Sequence, residues 1–540
     1  MNLSTGSIRD EMLPLSGPKM LKRFFLAAVG LIGLLSVNAL VFSRIAFFDF
    51  ATMDWGGFLD AAWRIWCGQR IYVDYTFHTG PMHLYMFLLF FKLFGFDRQG
   101  ILMHLTVINT LTAAATFAVA WGRIPLVFTA LCTGLTLAGF YWIYPHPYYD
   151  YSAHFFGLFG VAALARTLPF EHPRSAWRVG LFCGVMAAFC SMTKINIGAA
   201  YGMVYAAAFL TGLRPLQGLA ACGLGLLAGL AAVLATLASP AAFFHSLSEY
   251  SSMASDRLTR LLFIPAYFKN FLSVPAILLI WILWGKKKTW EFALCLGVGA
   301  MAIFTVNTGS FRGWDYLPMM GMYMALSFRI LFAALSNAAS QRKKNLAAGF
   351  IAILTVVSLY QLGQLVKVSA ERFRLSSDRF DKERYELKNG PFKGWIFKKE
   401  QGEVVDGMIE EIQKISPQET LLILSDMQMI YPFAAKESYK GIPFQWFEGR
   451  LPPLWKVKEV RQHIFDHPPD WILTSHEEGK HPVNAIMGYL EIPADFLFSQ
   501  YDIVKTWSIY ALFRRRPSKA LAGGKIKTAL SRADNNKYLR

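Results

Sequence analysis

The chain holds 540 residues, of which 54% are hydrophobic, 15% aromatic and only 17% charged, and 54 Lys+Arg against 36 Asp+Glu give it a net charge of +18. Soluble domains carry about 25% charged residues, so a mean hydropathy of +0.34 over this length excludes a soluble enzyme, a disordered chain and a fibrous repeat. The apolar residues stand in unbroken runs rather than alternating, which excludes a β-barrel and leaves a polytopic helical membrane protein.

The positive excess lies mostly in short runs between apolar segments, where the positive-inside bias and anionic headgroups account for it. No Gly-rich phosphate loop and no basic–aromatic RNA motif accompanies it, so membrane lipids are expected as partners and nucleic acid is not. Of the six cysteines, Cys132, Cys183, Cys190, Cys222 and Cys295 fall in apolar stretches and Cys67 in a loop. They form no disulfide framework and no metal-ligand spacing.

In chain order, residues 1–20 form a cytoplasmic tail. The run Phe24–Phe48, preceded by Lys19, Lys22 and Arg23, has about 25 residues. That is too long for a signal-peptide core, and no cleavage site follows, so it reads as an uncleaved span. An outer loop covers residues 49–81. Three apolar runs come next: Met82–Phe96, Ile101–Trp121 and Pro125–Ile143. Asp54 and Asp150 lie on the same outer side only if one of the three does not cross. Met82–Phe96 is short for a span of about 20 residues and contains Lys92, so it is assigned as re-entrant or juxtamembrane. Length and charge leave open which of the three it is.

Further spans are predicted over Tyr151–Leu168, Trp177–Thr193, Ile197–Leu213, Leu216–Ala238, Ile264–Trp284, Trp290–Val306, Tyr316–Leu335 and Ala347–Val366. The clusters Lys286-Lys287-Lys288 and Arg342-Lys343-Lys344 mark the cytoplasmic side. Counting from either end gives about eleven spans, with the N-terminus inside and the C-terminus outside. The transmembrane domain then covers residues 21–367. Residues 368–516 change character: Thr420–Ser425, Trp471–Ser475 and Tyr510–Arg514 read as strands and Trp455–Phe465 as a helix, a small extracytoplasmic α/β domain. Residues 517–540 form a basic, disordered tail. No internal repeat is visible.

The most informative stretch is the first outer loop, from Asp54-Trp-Gly-Gly-Phe58 through Asp60, Ala62 and Gly68 to Tyr72-Val-Asp74. Asp54 lies just beyond a span in aromatic surroundings. It fits a general base toward an incoming hydroxyl, but taken alone such an Asp more often caps a helix, here one over Gly56–Cys67; the two roles are compatible. The second outer loop holds His146, Asp150 and His154. Carboxylate with imidazole is a workable ligand set for a divalent ion, although polar helix ends facing water need no metal. Lys194, within Ser191-Met-Thr-Lys-Ile-Asn-Ile-Gly198, is either a snorkelling lysine or a point charge for a phosphate. The loop Ser246–Arg260 with Glu249, Asp256, Arg257 and Arg260 reads as an acceptor groove or as a solvated interfacial face.

The order of these residues resembles the GT-C superfamily of membrane glycosyltransferases, which includes protein O-mannosyltransferases and the lipid A aminoarabinose transferase. That family's first loop carries an acidic pair, then Tyr, Ala, Gly and Tyr-x-Asp. Here Asp54, Phe58, Ala62, Gly68 and Tyr72-Val-Asp74 take those positions, and His78-Thr-Gly-Pro81 takes the proline-rich stretch that follows. Trp55 stands where many members have their second adjacent acid. The family's further acidic residue corresponds to Asp150, and its Thr-Lys or Ser-Lys before a glycine to Thr193-Lys194. Its Arg-Tyr-x-x-Pro-like segment corresponds to Asp315-Tyr316-Leu-Pro318, with the basic residue displaced and Arg312 nearby.

The resemblance implies an inverting transfer of a sugar from a polyprenyl-phosphate carrier to an extracytoplasmic protein, lipid or glycan, on the outer face of a bacterial inner membrane. It makes Asp54 and Asp150 catalytic and gives the donor phosphate to Lys194 and Arg312. Tyr72, Asp74, His78 and Tyr316 become substrate-binding residues, and a divalent metal, if one is used, falls to Asp150, His146 and His154. The alternatives are a transporter or lipid flippase, a surface-polysaccharide ligase or polymerase, and a non-catalytic assembly protein. A transporter predicts ionisable groups near the midplane and repeated halves, whereas these residues cluster at outer helix ends.

Overall fold

A computed structural model describes residues 18–46, 54–142, 145–169, 172–212, 214–252, 289–308, 317–338, 340–377, 384–442, 454–475, 487 and 490–517. The span expected over Ile264–Trp284, the residues Asp256, Arg257, Arg260, Arg312, Asp315 and Tyr316, and the tail from residue 518 lie outside these.

The chain builds a helical bundle first and a mixed α/β portion after it. Ten helices come before residue 253 among the described residues: α1 (Pro18–Ile45), α2 (Asp54–Trp66), α3 (Met82–Phe94), α4 (Arg98–Ala120), α5 (Leu126–Leu137), α6 (Tyr149–Thr167), α7 (Pro173–Ser191), α8 (Ile195–Leu210), α9 (Pro215–Leu234) and α10 (Pro240–Ser252). After them come α11 (Thr289–Thr308), α12 (Leu317–Ser336) and α13 (Gln341–Ser377). Local chemistry sets several of the starts. Asp97 caps α4 by accepting from the Gln99 and Gly100 amides at 2.7 and 3.3 Å. Pro173 and Pro215 open α7 and α9, where a missing N–H costs nothing.

Among the described residues, five helices are long and apolar enough to cross a membrane: Ala28–Ile45, Arg98–Ala120, Pro215–Leu234, Leu317–Ser336 and Gln341–Glu371. Together with four shorter apolar helices they make this a polytopic membrane protein. Met82–Phe94 is short, as expected, but so is Leu126–Trp142, which ends in a π-helical turn at Ala138–Trp142. α12 is the central pillar, with 78% of its apolar window buried, against 17% for α1 and α13.

Lipid offers no hydrophobic drive for helices to associate, so close packing must hold them together. The α7–α9 contact shows the consequence: a Cβ at Gly184 would lie 2.1 Å from the Cys222 carbonyl oxygen, and one at Gly225 would lie 2.2 Å from that of Leu181. The backbones touch where side chains would stand. Two buried polar clusters inside the bundle are paired, as the low dielectric favours. Asn38 donates to Thr110 at 2.8 Å and accepts from Asn109 and Trp142. Glu291 meets Arg329 at 3.0 Å, and Arg329 also donates to the Ala165 carbonyl at 2.8 Å.

Beyond α13 lie β1 (Arg384–Glu386) and β2 (Ile396–Lys398), an antiparallel pair, then α14 (Lys399–Gln413). A four-stranded sheet follows, made of β3 (Leu421–Leu424), β4 (Trp471–Ser475), β5 (Tyr501–Trp507) and β6 (Tyr510–Arg515). Its order is β3-β4-β6-β5, with β3 and β4 parallel and the other pairs antiparallel. Leu421–Leu424 is buried on both faces, as an unbroken apolar run requires. The helices α15 (Ile430–Phe433), α16 (Leu454–Asp466) and α17 (Ala494–Gln500) complete this part.

Three local readings change. The helix expected from Gly56 begins at Asp54 itself, so Asp54 is its first residue rather than a cap ahead of it. Asp150, expected in a loop, lies in the first turn of α6. The last span, expected to end at Val366, runs on as α13 to Ser377.

Candidate functional site

The site is assembled where α2, α6 and α8 begin. Lys194 occupies the N-cap position of α8, in a turn closed by its own amide donating to the Cys190 carbonyl at 2.8 Å. Asp150 stands in the first turn of α6, where the helix dipole favours a carboxylate. Their charged ends meet: Lys194 Nζ is 2.6 Å from Asp150 Oδ1, with side chains 10% and 5% exposed. The ammonium also sits 4.9 Å from the centre of the Tyr149 ring, a cation–π contact that strengthens when water is sparse.

An aromatic wall surrounds this pair. Tyr149 packs on Tyr148 at 4.4 Å and on Phe58 at 5.1 Å, and Phe58 meets the His83 ring at 5.3 Å and that of His78 at 6.1 Å. Phe58 is one turn after Asp54 in α2, so the ring cluster that Lys194 meets through Tyr149 also receives the first turns of α2. Trp55, next to Asp54, packs on Phe87 at 5.4 Å and stacks on His146 at 6.0 Å.

The loop between α2 and α3 closes against the Lys194 turn. A Cβ at Gly80 would fall 1.8 Å from the Met192 carbonyl oxygen, and that same oxygen accepts from the Met82 amide at 3.1 Å. Only glycine lets the loop lie this close. Within the loop, Tyr72 takes a left-handed backbone, φ 67°, and its hydroxyl donates to the Thr79 carbonyl at 2.5 Å. Asp74 binds Arg70 at 3.0 Å and accepts from the Arg70 amide at 2.7 Å. These hydrogen bonds from Arg70 hold its carboxyl below the usual range.

The structure thus brings together Asp150, Lys194 and His78 around Phe58 and Tyr149, and puts Asp54 at the head of the helix that carries Phe58. Tyr72 and Asp74 direct their polar groups into the loop itself. His154 turns toward α8, where its Nδ1 lies 3.1 Å from the Tyr201 hydroxyl, and His146 stacks on Trp55. Among the described residues, no group of three His, Cys, Asp or Glu side chains is placed to hold a metal ion. Arg312 and Tyr316 lie outside those residues.

Sequence reasoning passed over a second cluster on α2. Asp60 and Arg64, both fully buried, pair at 2.8 Å, and Ser438 donates to Asp60 at 2.5 Å. Burial pushes the Asp60 carboxyl up, and Arg64 and Ser438 oppose that shift. The signal was the Asp60-x-x-x-Arg64 spacing, which places opposite charges on one helix face. A pocket of about 500 Å³ opens beside this cluster, between Glu419, Lys436, Tyr439 and His463; it is separate from the Asp150–Lys194 pair.

No protein-family model matches the chain, and no curated protein matches it. Among solved structures, it is similar to a crystal structure of ArnT from Cupriavidus metallidurans bound to undecaprenyl phosphate, with a TM-score of 0.53 and 11% identity over 91% of this chain and 99% of that one. The apo form of the same protein gives a TM-score of 0.49 and 14% identity over 91% and 100%. The likeness to the lipid-bound form spans nearly the whole of both molecules, and it shows that this chain shares the fold of that protein.

Proposed function

We propose that the protein is a membrane glycosyltransferase that moves one sugar from a polyprenyl-phosphate carrier to an acceptor outside the cytoplasm. The observation that carries this reading is the buried Lys194–Asp150 pair at the start of two helices, in a fold shared with a protein crystallised with undecaprenyl phosphate. A buried lysine at a helix N-terminus faces an unfavourable dipole unless an anion joins it. Asp150 supplies that anion here, and the leaving polyprenyl phosphate, a monoester, would supply more charge and three acceptor oxygens.

The step is a single displacement. Asp54 takes the proton of the acceptor hydroxyl, the acceptor oxygen bonds to the anomeric carbon, and the bond from that carbon to the phosphate oxygen breaks. The carrier leaves as polyprenyl phosphate, its new charge met by Lys194 and by Arg312. One base and a stabilised leaving group suffice, no covalent intermediate forms, and the anomeric configuration inverts. Asp150 holds Lys194 in place before the donor arrives. His78 and Tyr316 line the sugar, while Tyr72 and Asp74 shape the loop that covers it. The reaction belongs on the outward face of a bacterial inner membrane.

The test is transfer in membranes containing the full-length protein, supplied with a panel of radiolabelled undecaprenyl-phosphate-linked hexoses and pentoses. Label leaving the donor for an endogenous acceptor supports the reading. If membranes with the protein match membranes without it for every donor, the reading fails.

A further inference from the structure

The helix that begins with Asp54 is gripped at its other end by the α/β portion of the chain. Trp63 Nε1 donates to the Lys436 carbonyl at 2.7 Å, Arg64 Nη1 to the Tyr439 carbonyl at 2.8 Å, and Gln69 Nε2 to the Ser438 carbonyl at 2.5 Å. The Ser438 hydroxyl returns a bond to Asp60 at 2.5 Å, and the Gly441 amide donates to the Asp74 carbonyl at 2.8 Å. Arg64 is sandwiched between Tyr75 and Tyr431, 5.3 and 5.9 Å from the ring centres. Asp60, Arg64, Gln69 and Ser438 are all buried.

We propose that residues 436–441 are a positioning clamp for α2, with Ser438 its central residue, and that the clamp sets the place of the base at the head of the helix. The proposal rests on the reading of Asp54 as that base.

The geometry explains why a clamp is needed. α2 has 13 residues, is short for a helix in isolation, and its first turn meets the bundle mainly through aromatic rings. Rings resist separation but allow sliding. Hydrogen bonds at Asp60, Trp63, Arg64 and Gln69 fix both the height and the rotation of the helix. A rotation of about 15° would move a group at the roughly 5–6 Å outer radius by about 1.5 Å, and a misplacement of about 1 Å costs on the order of 100-fold in rate. Asp60 gathers the clamp: one oxygen takes the Arg64 guanidinium and the other takes Ser438.

The test compares Ser438→Ala and Ser438→Thr with the wild type in membranes at matched protein levels, using the labelled undecaprenyl-phosphate sugar that the wild type transfers. Ser438→Ala is expected to lower kcat about tenfold and leave the donor KM within twofold. Ser438→Thr, which keeps the hydroxyl, is expected to restore at least half the rate. Binding of undecaprenyl phosphate itself, read by tryptophan fluorescence, should be unchanged in both. If Ser438→Ala does not accumulate, Trp63→Phe removes one clamp bond and keeps a ring against Phe96, and the same split is expected. An unchanged kcat in the tested variant overturns the proposal, and so does an equal loss of undecaprenyl phosphate binding. Asp54→Asn run alongside separates the two claims: if it keeps the wild-type rate, the reading of the base fails. If it is inactive while Ser438→Ala is fully active, only the clamp fails.

Discussion

Lys194 and Asp150 come from the starts of two different helices, and their charged ends lie 2.6 Å apart with almost no exposure to water. Removing one partner of such a pair strands the other, so each substitution tells on the one that remains. For a donor phosphate, the carboxylate is a competitor and the ammonium is the target. Lys194→Ala is therefore expected to weaken binding of undecaprenyl phosphate by about 10–100-fold, the size of one or two charge-assisted hydrogen bonds. Asp150→Asn is expected to keep or tighten it. Titration by tryptophan fluorescence in detergent reads both, and weaker binding in Asp150→Asn contradicts the competition.

Gly80 gives a purely steric prediction. A Cβ there would sit 1.8 Å from the Met192 carbonyl oxygen, with backbone on both sides of the clash. Gly80→Ala is expected to cost about 1–3 kcal/mol and to lower the thermal midpoint of the detergent-solubilised protein. Gly30→Ala, where nothing lies within 4 Å, should change the midpoint little.

The ion pair between Glu291 and Arg329 is buried in the bundle. Glu291→Leu leaves the guanidinium without its counter-ion and is expected to cost about 3–5 kcal/mol, whereas Glu291→Leu with Arg329→Met should recover most of that loss. Thermal melts of the three proteins check it. Equal midpoints for the single and double variants would show that the pair does not act as a unit.

Cys67 carries the pH prediction. Burial, with Glu437 and Asp60 near, pushes its thiol up to about 12 from an ordinary 9.0. The thiolate is the reactive form, so raising the value by about three units lowers its share near pH 8 by roughly 1000-fold. In a variant with Cys67 as the sole cysteine, iodoacetamide should react far more slowly than with a free thiol at pH 8, and the rate should still be climbing at pH 11. A plateau near pH 9 would contradict the packing at the end of α2.

Runs such as Leu317–Ser336 and Pro215–Leu234 were legible because an apolar stretch of span length has few other fates. Leu421–Leu424, Trp471–Ser475 and Tyr510–Arg515 were legible as short apolar strands between turn residues. β5 was not: Tyr501–Trp507 is exposed along most of its length, so alternation never develops, and Lys505 interrupts it beside a register shift. The helix Lys399–Gln413 was passed over because its charges hide the spacing of Val405, Met408, Ile409 and Ile412, which form its buried face. At the site, Asp54, Asp150 and Lys194 stood out as ionisable residues at the ends of apolar runs. That Lys194 meets Asp150, or that Ser438 reaches Asp60 across 378 positions, is a matter of tertiary packing that no local pattern encodes.

The most direct measurement is the transfer rate of Asp54→Asn beside Asp54→Glu and the wild type, in membranes holding equal amounts of each protein and a saturating undecaprenyl-phosphate sugar. Positioned general bases contribute about 10²–10⁴-fold, so Asn should lower kcat by at least 100-fold while undecaprenyl phosphate still binds, and Glu should retain measurable transfer. Wild-type turnover in Asp54→Asn would contradict the account.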